Sequence, residues 1–296
     1  MQQRFNVAFA HFAYGGNGGI SSETPDIREW QVPLVASLAR DERVGEIRVF
    51  NISDTPITMS RNKAVLQARQ YKSDILVMVD SDMKPDMYVG QDPLAKPFFQ
   101  SSFDFLLGHY AKGPVVIGAP YCGPPPAECV YVFRWQNQQS DHPNADFQLE
   151  MYDRHTAAKM AGIQECAALP TGMIMFDMRM FDLIEPRTKD NHSFAYYEWT
   201  DKYAAAKAST EDVTMTRDMA FAGVEKLGYN PVLCNWDAWA GHWKPKCVGK
   251  PVVLEAKSIS EKLRSDWEAG VDHDVKIVEL RPSNFMQRAL ANSVRK

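Results

Sequence analysis

Ile75-Leu76-Val77-Met78-Val79-Asp80-Ser81-Asp82-Met83 decides how this chain is read. Five apolar residues in a row, mostly branched, predict a strand buried on both faces. Such strands sit in the middle of parallel sheets. Two carboxylates one residue apart follow where the strand ends. In open α/β sheets, ligands bind beyond the carboxyl ends of the strands. Paired oxygen donors there suit a hard divalent cation and, through it, phosphate oxygens. On these nine residues alone, a polar turn closing a strand is an equal reading.

The flanks supply the context. Phe5-Asn6-Val7-Ala8-Phe9-Ala10 reads as a first strand, followed by the glycine-rich loop Tyr14–Gly19. A helix is expected near residues 26–40, with Ile27, Trp30, Leu34 and Leu38 spaced by three and four. Glu46–Ile52 is a second strand, and Thr58 or Ser60 caps a helix through Gln70 that carries Arg61 and Asn62 in its first turn. Strand alternating with helix is the pattern of a parallel, doubly wound sheet. Further along, Phe98–Tyr110 reads as a helix, with strands at Val115–Gly118 and Val130–Trp135. Leu169–Phe176 reads as a turn feeding another strand. Ser209 opens a helix with Val213, Ala220, Val224 and Leu227 on one face, ended by Gly228. The expected division is one α/β domain over residues 1–250 and a polar, helical tail over 251–296, with a helix near 258–268.

Bulk numbers bound the function. The 296 residues are 45% hydrophobic and 24% charged, enough for one large α/β domain. A net charge of −4 gives no global basic field for nucleic acid or anionic membrane. No charged-then-apolar leader opens the sequence, and no apolar run is long enough to span a bilayer. The five cysteines form no Cys-x-x-Cys pair, which points to reduced thiols and away from zinc. A cytoplasmic protein is expected (the host cytoplasm if viral), with no obligate protein partner evident.

Taken in order, Ser60-Arg61-Asn62, Asp80-Ser81-Asp82, Pro170-Thr171-Gly172, Glu211-Asp212 and Gly241-His242 resemble the glycosyltransferases of the GT-A fold. The likeness is to the small family-2-like enzymes often encoded by phages and bacteria, and it covers roughly residues 5–245. It implies a Rossmann-like single domain with a mostly parallel sheet. It implies a sugar moved from a nucleotide-sugar, UDP-linked by preference, to a hydroxyl with inversion. Mn2+ or Mg2+ would sit on the diphosphate, held by Asp82 with Asp80 at the ribose or the metal shell, and by His242. Imidazole beside carboxylate favours Mn2+. Asp212 would be the general base with Glu211 in support, or the reverse. Arg61, Asn62, Ser81 and Gly172 would line the nucleotide and donor pocket, with Ala10 and His11 meeting the nucleotide at the end of the first strand. The same Ser209–Asp212 stretch also reads as a helix cap. The acceptor is open among a glycan, a small molecule and a hydroxymethylated pyrimidine in DNA. A DNA base would be flipped out of the duplex, with Trp135, Trp199, Trp236 and Trp239 as stacking faces.

Other classes share parts of this pattern. Haloacid-dehalogenase phosphatases carry Asp-x-Asp after a buried strand but want Thr or Val where Lys84 stands. A sugar nucleotidyltransferase wants a basic residue in its glycine-rich loop, and Tyr14–Gly19 has none. A non-catalytic nucleotide-sugar-binding module would keep the fold and lose the acidic elements, which are present here.

Overall fold

The computed structural model describes residues 3–12, 24–53, 56–123, 129–135, 149–186, 193–196, 210–243 and 247–248. The chain divides into two units, Met1–Pro251 and Val252–Lys296, and every described residue lies in the first. The glycine-rich loop, Trp199 and the expected helix near 258–268 fall outside the described residues.

The architecture is α/β, with helices on both faces of a seven-stranded, mostly parallel sheet. The strands are β1 Phe5–Phe12, β2 Val44–Ile52, β3 Ile75–Asp80, β5 Val116–Gly118, β8 Ile163–Glu165, β9 Met173–Asp177 and β10 Val232–Asn235. Their order is β2-β1-β3-β9-β5-β10-β8. β1 pairs in parallel with β2 and β3, and β5 with β10. β9 runs antiparallel between β3 and β5, and β8 antiparallel at the edge. The sheet is therefore mixed, where strict β-α alternation predicts an all-parallel one. The reason is local. The turn at 170–172 enters β9 at the sheet edge where β3 ends, so β9 must run back through the sheet.

Alternation along the strands builds two cores. Ala8, Ala10, Phe12, Leu76 and Met78 face one side and pack under α2 (Ile57–Gln70) and α5 (Glu211–Leu227). Val7, Phe9, Ile75, Val77 and Val79 face the other, under α1 (Pro25–Leu38) and α3 (Phe98–His109). All five apolar residues of β3 have no exposed surface, as its sequence requires. Smaller elements complete the unit. β4 (Met83–Lys84), β11 (Gly241–Trp243) and β12 (Cys247–Val248) form a three-stranded sheet. β6 (Phe133–Trp135) pairs with β7 (Leu149–Met151), followed by the short α4 (Arg154–Ala157).

Several boundaries differ from expectation. β1 runs two residues past Ala10, so Ala10 lies inside the strand with its side chain in the core. α2 starts at Ile57 after Pro56 and has no side-chain cap, which puts Ser60 buried in the helix instead of capping it. On α5, Val213 and Ala220 are buried but Val224 is exposed; Met215 and Met219 fill the core instead. Gly228 ends α5 in the left-handed conformation (φ 76°), where glycine carries no Cβ penalty. Trp236 and Trp239 are core residues, packed on each other and, through Trp236, on Tyr152, so neither offers a face for a stacked base. Cys122, Cys129, Cys166 and Cys234 form no disulfide among the described residues. Among the described residues, no helix is long and apolar enough to cross a membrane.

Candidate functional site

The Asp80-Ser81-Asp82 turn is held from four sides by backbone bonds. Asp80 N donates to Gly172 O (2.8 Å), Ser81 N to Phe12 O (3.2 Å), Thr24 N to Ser81 O (3.2 Å) and Trp243 N to Asp82 O (2.9 Å). The turn therefore sits where β1, β9, β11 and the start of α1 converge at the carboxyl edge of the parallel strands. Ser81 is buried at that crossing.

β11 pairs antiparallel with β4, matching His242 to Met83. That register brings His242 Nε2 to 3.3 Å from Asp82 Oδ2. His242 Nδ1 lies 3.1 Å from Cys122 O. A carbonyl only accepts, so in the neutral ring Nδ1 carries the proton and the Nε2 lone pair faces Asp82. The next residue, Trp243, donates its indole N–H to Asp26 Oδ2 (2.9 Å), and Lys84 pairs with the same carboxylate (3.2 Å).

Arg61 occupies the fifth position of α2 and is buried, with only 2% of its side chain exposed. Its guanidinium lies 2.7 Å from Asp80 Oδ1 and 4.1 Å from the centre of the Phe12 ring. Burial pushes the Asp80 carboxyl above its ordinary range; Asp82 and Asp212 add to the rise, and Arg61 opposes it. Asn62 turns elsewhere. Its amide oxygen accepts from Phe194 N (2.8 Å) and Ala195 N (2.9 Å), and its amide nitrogen donates to Ala195 O (3.0 Å). That side chain clamps residues 194–195. His11 is buried in β1, one residue short of the Phe12–Asp80 register.

The acidic pair opens α5. Asp212 Oδ2 accepts from Thr171 N (3.1 Å) and Oδ1 from Val213 N (2.8 Å). Thr216 Oγ1 both accepts from Leu169 N (2.9 Å) and donates to Leu169 O (2.8 Å). The first turns of α5 are thus stitched to the 169–171 segment, which continues into Gly172 and the Asp80 backbone. Asp212 serves this tie; Thr210, at the helix cap, makes no side-chain capping bond, and Ser209, the expected cap, lies outside the described residues. The Thr171 hydroxyl is buried with no hydrogen-bond partner among the described residues. Glu211 is buried, and its carboxyl is pushed up to about 7. Burial is the main cause, the Asp212 and Asp80 charges add to it, and Arg61 opposes.

Tyr121, absent from the sequence-based candidates, sits among these groups. Its ring meets His242 edge-on (centroids 5.1 Å, 74°), and a Cβ added to Gly172 would lie 2.5 Å from its hydroxyl. Burial raises the phenol well above its ordinary value, helped by the charges of Asp80, Asp212 and Asp82. It follows a short buried strand, the position where α/β sheets place ligand contacts; that rule is the signal in the sequence that marks it.

The donor set at Asp82 and His242 suits Mn2+, carboxylate oxygen beside imidazole nitrogen. Among the described residues, no group of three or more His, Cys, Asp or Glu side chains is placed to hold a metal. Among the described residues, Asp82 and His242 are the two side chains that would hold it. A cation there would complete its shell with phosphate oxygens and water, as nucleotide-bound divalent ions do.

No protein-family model matches this chain, and no curated protein matches it in sequence. Among solved structures, A197 from STIV is similar at 12% identity, covering 84% of this chain and 96% of that one, with a TM-score of 0.45. A putative glucose-1-phosphate thymidylyltransferase from Bacillus anthracis, in complex with a sucrose, is similar at 8% identity, with 80% and 89% coverage and a TM-score of 0.38. CMP:2-keto-3-deoxy-manno-octonic acid synthetase complexed with CTP is similar at 12% identity, with 64% and 82% coverage and a TM-score of 0.29. Likeness at this level assigns no activity.

Proposed function

We propose that this protein is a metal-dependent glycosyltransferase of the GT-A type, acting on a nucleotide-sugar. The observation that carries the reading is the Asp82–His242 pair, 3.3 Å apart at the carboxyl edge of the sheet, with the Glu211–Asp212 pair across the same turn. A divalent cation held by Asp82 and His242 would neutralise the diphosphate as it leaves. Asp80, paired with Arg61, shapes the floor of that site. The acceptor hydroxyl gives its proton to a carboxylate of the α5 pair, its oxygen bonds to the sugar carbon, and the bond from that carbon to the diphosphate breaks. The electron pair of that bond goes to the nucleoside diphosphate. Glu211 is the better proton acceptor, because a base near pH 7 matches its task, while both Asp212 oxygens already accept backbone N–H groups. This reverses the order of roles first expected for the pair.

A sugar nucleotidyltransferase uses the same metal and a similar fold. Its attacking group is already an anionic phosphate, which needs no base and needs positive charge around a triphosphate. Here Glu211, Asp80, Asp82 and Asp212 crowd the turn, and Arg61 is paired with Asp80. Among the described residues, that charge balance is the one ground for preferring glycosyl transfer. UDP-sugars are the preferred donors, with a glycan, a small molecule or a hydroxymethylated pyrimidine as acceptor.

The test is thermal stability with a panel of nucleoside diphosphates, each with and without Mn2+. Ligand at about 100 times its dissociation constant stabilises by roughly 2.7 kcal/mol. A Mn2+-dependent shift with one diphosphate, lost in Asp82→Asn, is expected. Turnover that releases pyrophosphate from a nucleoside triphosphate would replace this reading with nucleotidyl transfer, and the absence of any shift would remove the site.

A further inference from the structure

Residues 119–122, which leave β5, join the two halves of the site. Ala119 N donates to Met173 O (2.9 Å), Ala240 N to Pro120 O (3.0 Å) and Tyr131 N to Tyr121 O (3.0 Å). His242 Nδ1 donates to Cys122 O at 3.1 Å. One short segment therefore ties the 170–173 turn to the strand that carries His242.

The Tyr121 side chain spans the same joint. Its ring lies edge-on to His242 at 5.1 Å and to Tyr131 at 5.6 Å, and Tyr131 in turn lies 6.3 Å from His242, all at 74°. Its far end is packed over Gly172, where no Cβ fits. A single hydrogen bond at Nδ1 leaves an imidazole free to rock about its own axis. Two aromatic walls take that freedom away, and with two protein donors among the described residues, small errors in the aim of Nε2 matter.

We propose that Tyr121 is a positioning residue for the metal. Its ring, braced by Gly172, holds the imidazole of His242 so that Nε2 is aimed at the cation beside Asp82. Hydrogen-bonded partners that orient a histidine ligand typically govern metal affinity by about 10–100-fold, and an aromatic wall that fixes the ring acts on the same aim at the lower end of that range. The ring carries this role and the hydroxyl does not. The inference rests on the metal reading of the Asp82–His242 pair.

The test measures Mn2+ binding by the full chain, from the electron paramagnetic resonance signal of free Mn2+, with UDP as the diphosphate probe. Tyr121→Leu is expected to weaken Mn2+ binding about tenfold or more, and Tyr121→Phe to keep it within about twofold. In a His242→Ala background, Tyr121→Leu should cause no further loss, because the two act as one unit. Thermal melts without Mn2+ confirm that each variant is folded; Tyr121→Met, which fills irregular space well, replaces the leucine variant if that one does not fold. Wild-type affinity in Tyr121→Leu overturns the role, as does a loss of equal size in Tyr121→Phe or an undiminished loss in the His242→Ala background. Failure of the wild type itself to bind Mn2+ removes the metal reading and this role with it, so the two failures are told apart by the wild-type titration.

Discussion

Replacing Arg61 by methionine tests whether the floor of the site is held by charge. Arg61 is almost fully buried, and its guanidinium lies 2.7 Å from the Asp80 carboxylate, which is 18% exposed. Methionine fills much of the same volume and keeps the contact with Phe12, so the variant removes charge more than packing. Breaking a buried pair by deleting one partner costs about 3–5 kcal/mol, because the other charge stays behind. The partial exposure of Asp80 and its ability to take a proton favour the lower end, about 3 kcal/mol. For a fold of this size that lowers the melting temperature by roughly 6–12 °C. The cost depends on pH with a definite sign. Asp80 already sits above its ordinary range, and losing Arg61 raises it further. A raised carboxyl costs nothing below its unfolded pKa, and the cost grows as pH rises from that value to the folded one and is constant above it. Melts of Arg61→Met at pH 5 and pH 8 should therefore show a smaller loss at pH 5. Arg61→Met combined with Asp80→Asn should recover most of the stability at pH 8. A loss under about 1 kcal/mol at pH 8, or no recovery in the double variant, refutes the account.

Two further outcomes follow from the same geometry. Gly172→Ala puts a Cβ 2.5 Å from the Tyr121 hydroxyl and 2.7 Å from its ring; overpacking of this kind costs about 1–3 kcal/mol, and the loss should shrink in the Tyr121→Leu background, so additive losses in a denaturation cycle would contradict the close packing. Glu211, raised from 4.5 to about 7 in the fold, keeps a proton that the unfolded chain has lost between those values. Wild-type stability therefore falls as pH rises from about 4.5 to 7, by at most about 3 kcal/mol, and levels off above. Glu211→Gln should remove its share of that slope, leaving the part that Asp80 contributes, and be the more stable form at pH 8; an unchanged slope would refute the Glu211 contribution.

Much of the fold was legible because burial on both faces leaves a plain mark. The run Ile75–Val79 could only be a central strand, and its neighbours at 5–12, 44–52 and 116–118 carried weaker forms of the same mark. The helix ending at Gly228 was legible from its left-handed glycine stop. Its buried face was not, because Val224 has the right spacing yet points to water, and helix facing depends on what packs against it. The direction of β9 was hidden for a similar reason: Met173–Asp177 is apolar enough for a central strand of either sense.

The site divides along the same line. The sequence by itself determined that carboxylates stand at the end of a buried strand, and that Glu211 and Asp212 open a helix, since both follow from local pattern. Only the tertiary structure decided which groups meet. His242 reaches Asp82 because β11 pairs with β4 in one register. Arg61 reaches Asp80 because α2 packs on the face of the sheet that carries Phe12. Asn62, its neighbour, turns to residues 194–195 because successive helix positions point about 100° apart. Tyr121 had no local mark beyond its place after a strand; its role comes from contacts with residues 121 positions away at His242 and 51 away at Gly172. Local sequence sets the chemistry each element can offer, while long-range packing sets distance, burial and charge balance, and those make a site.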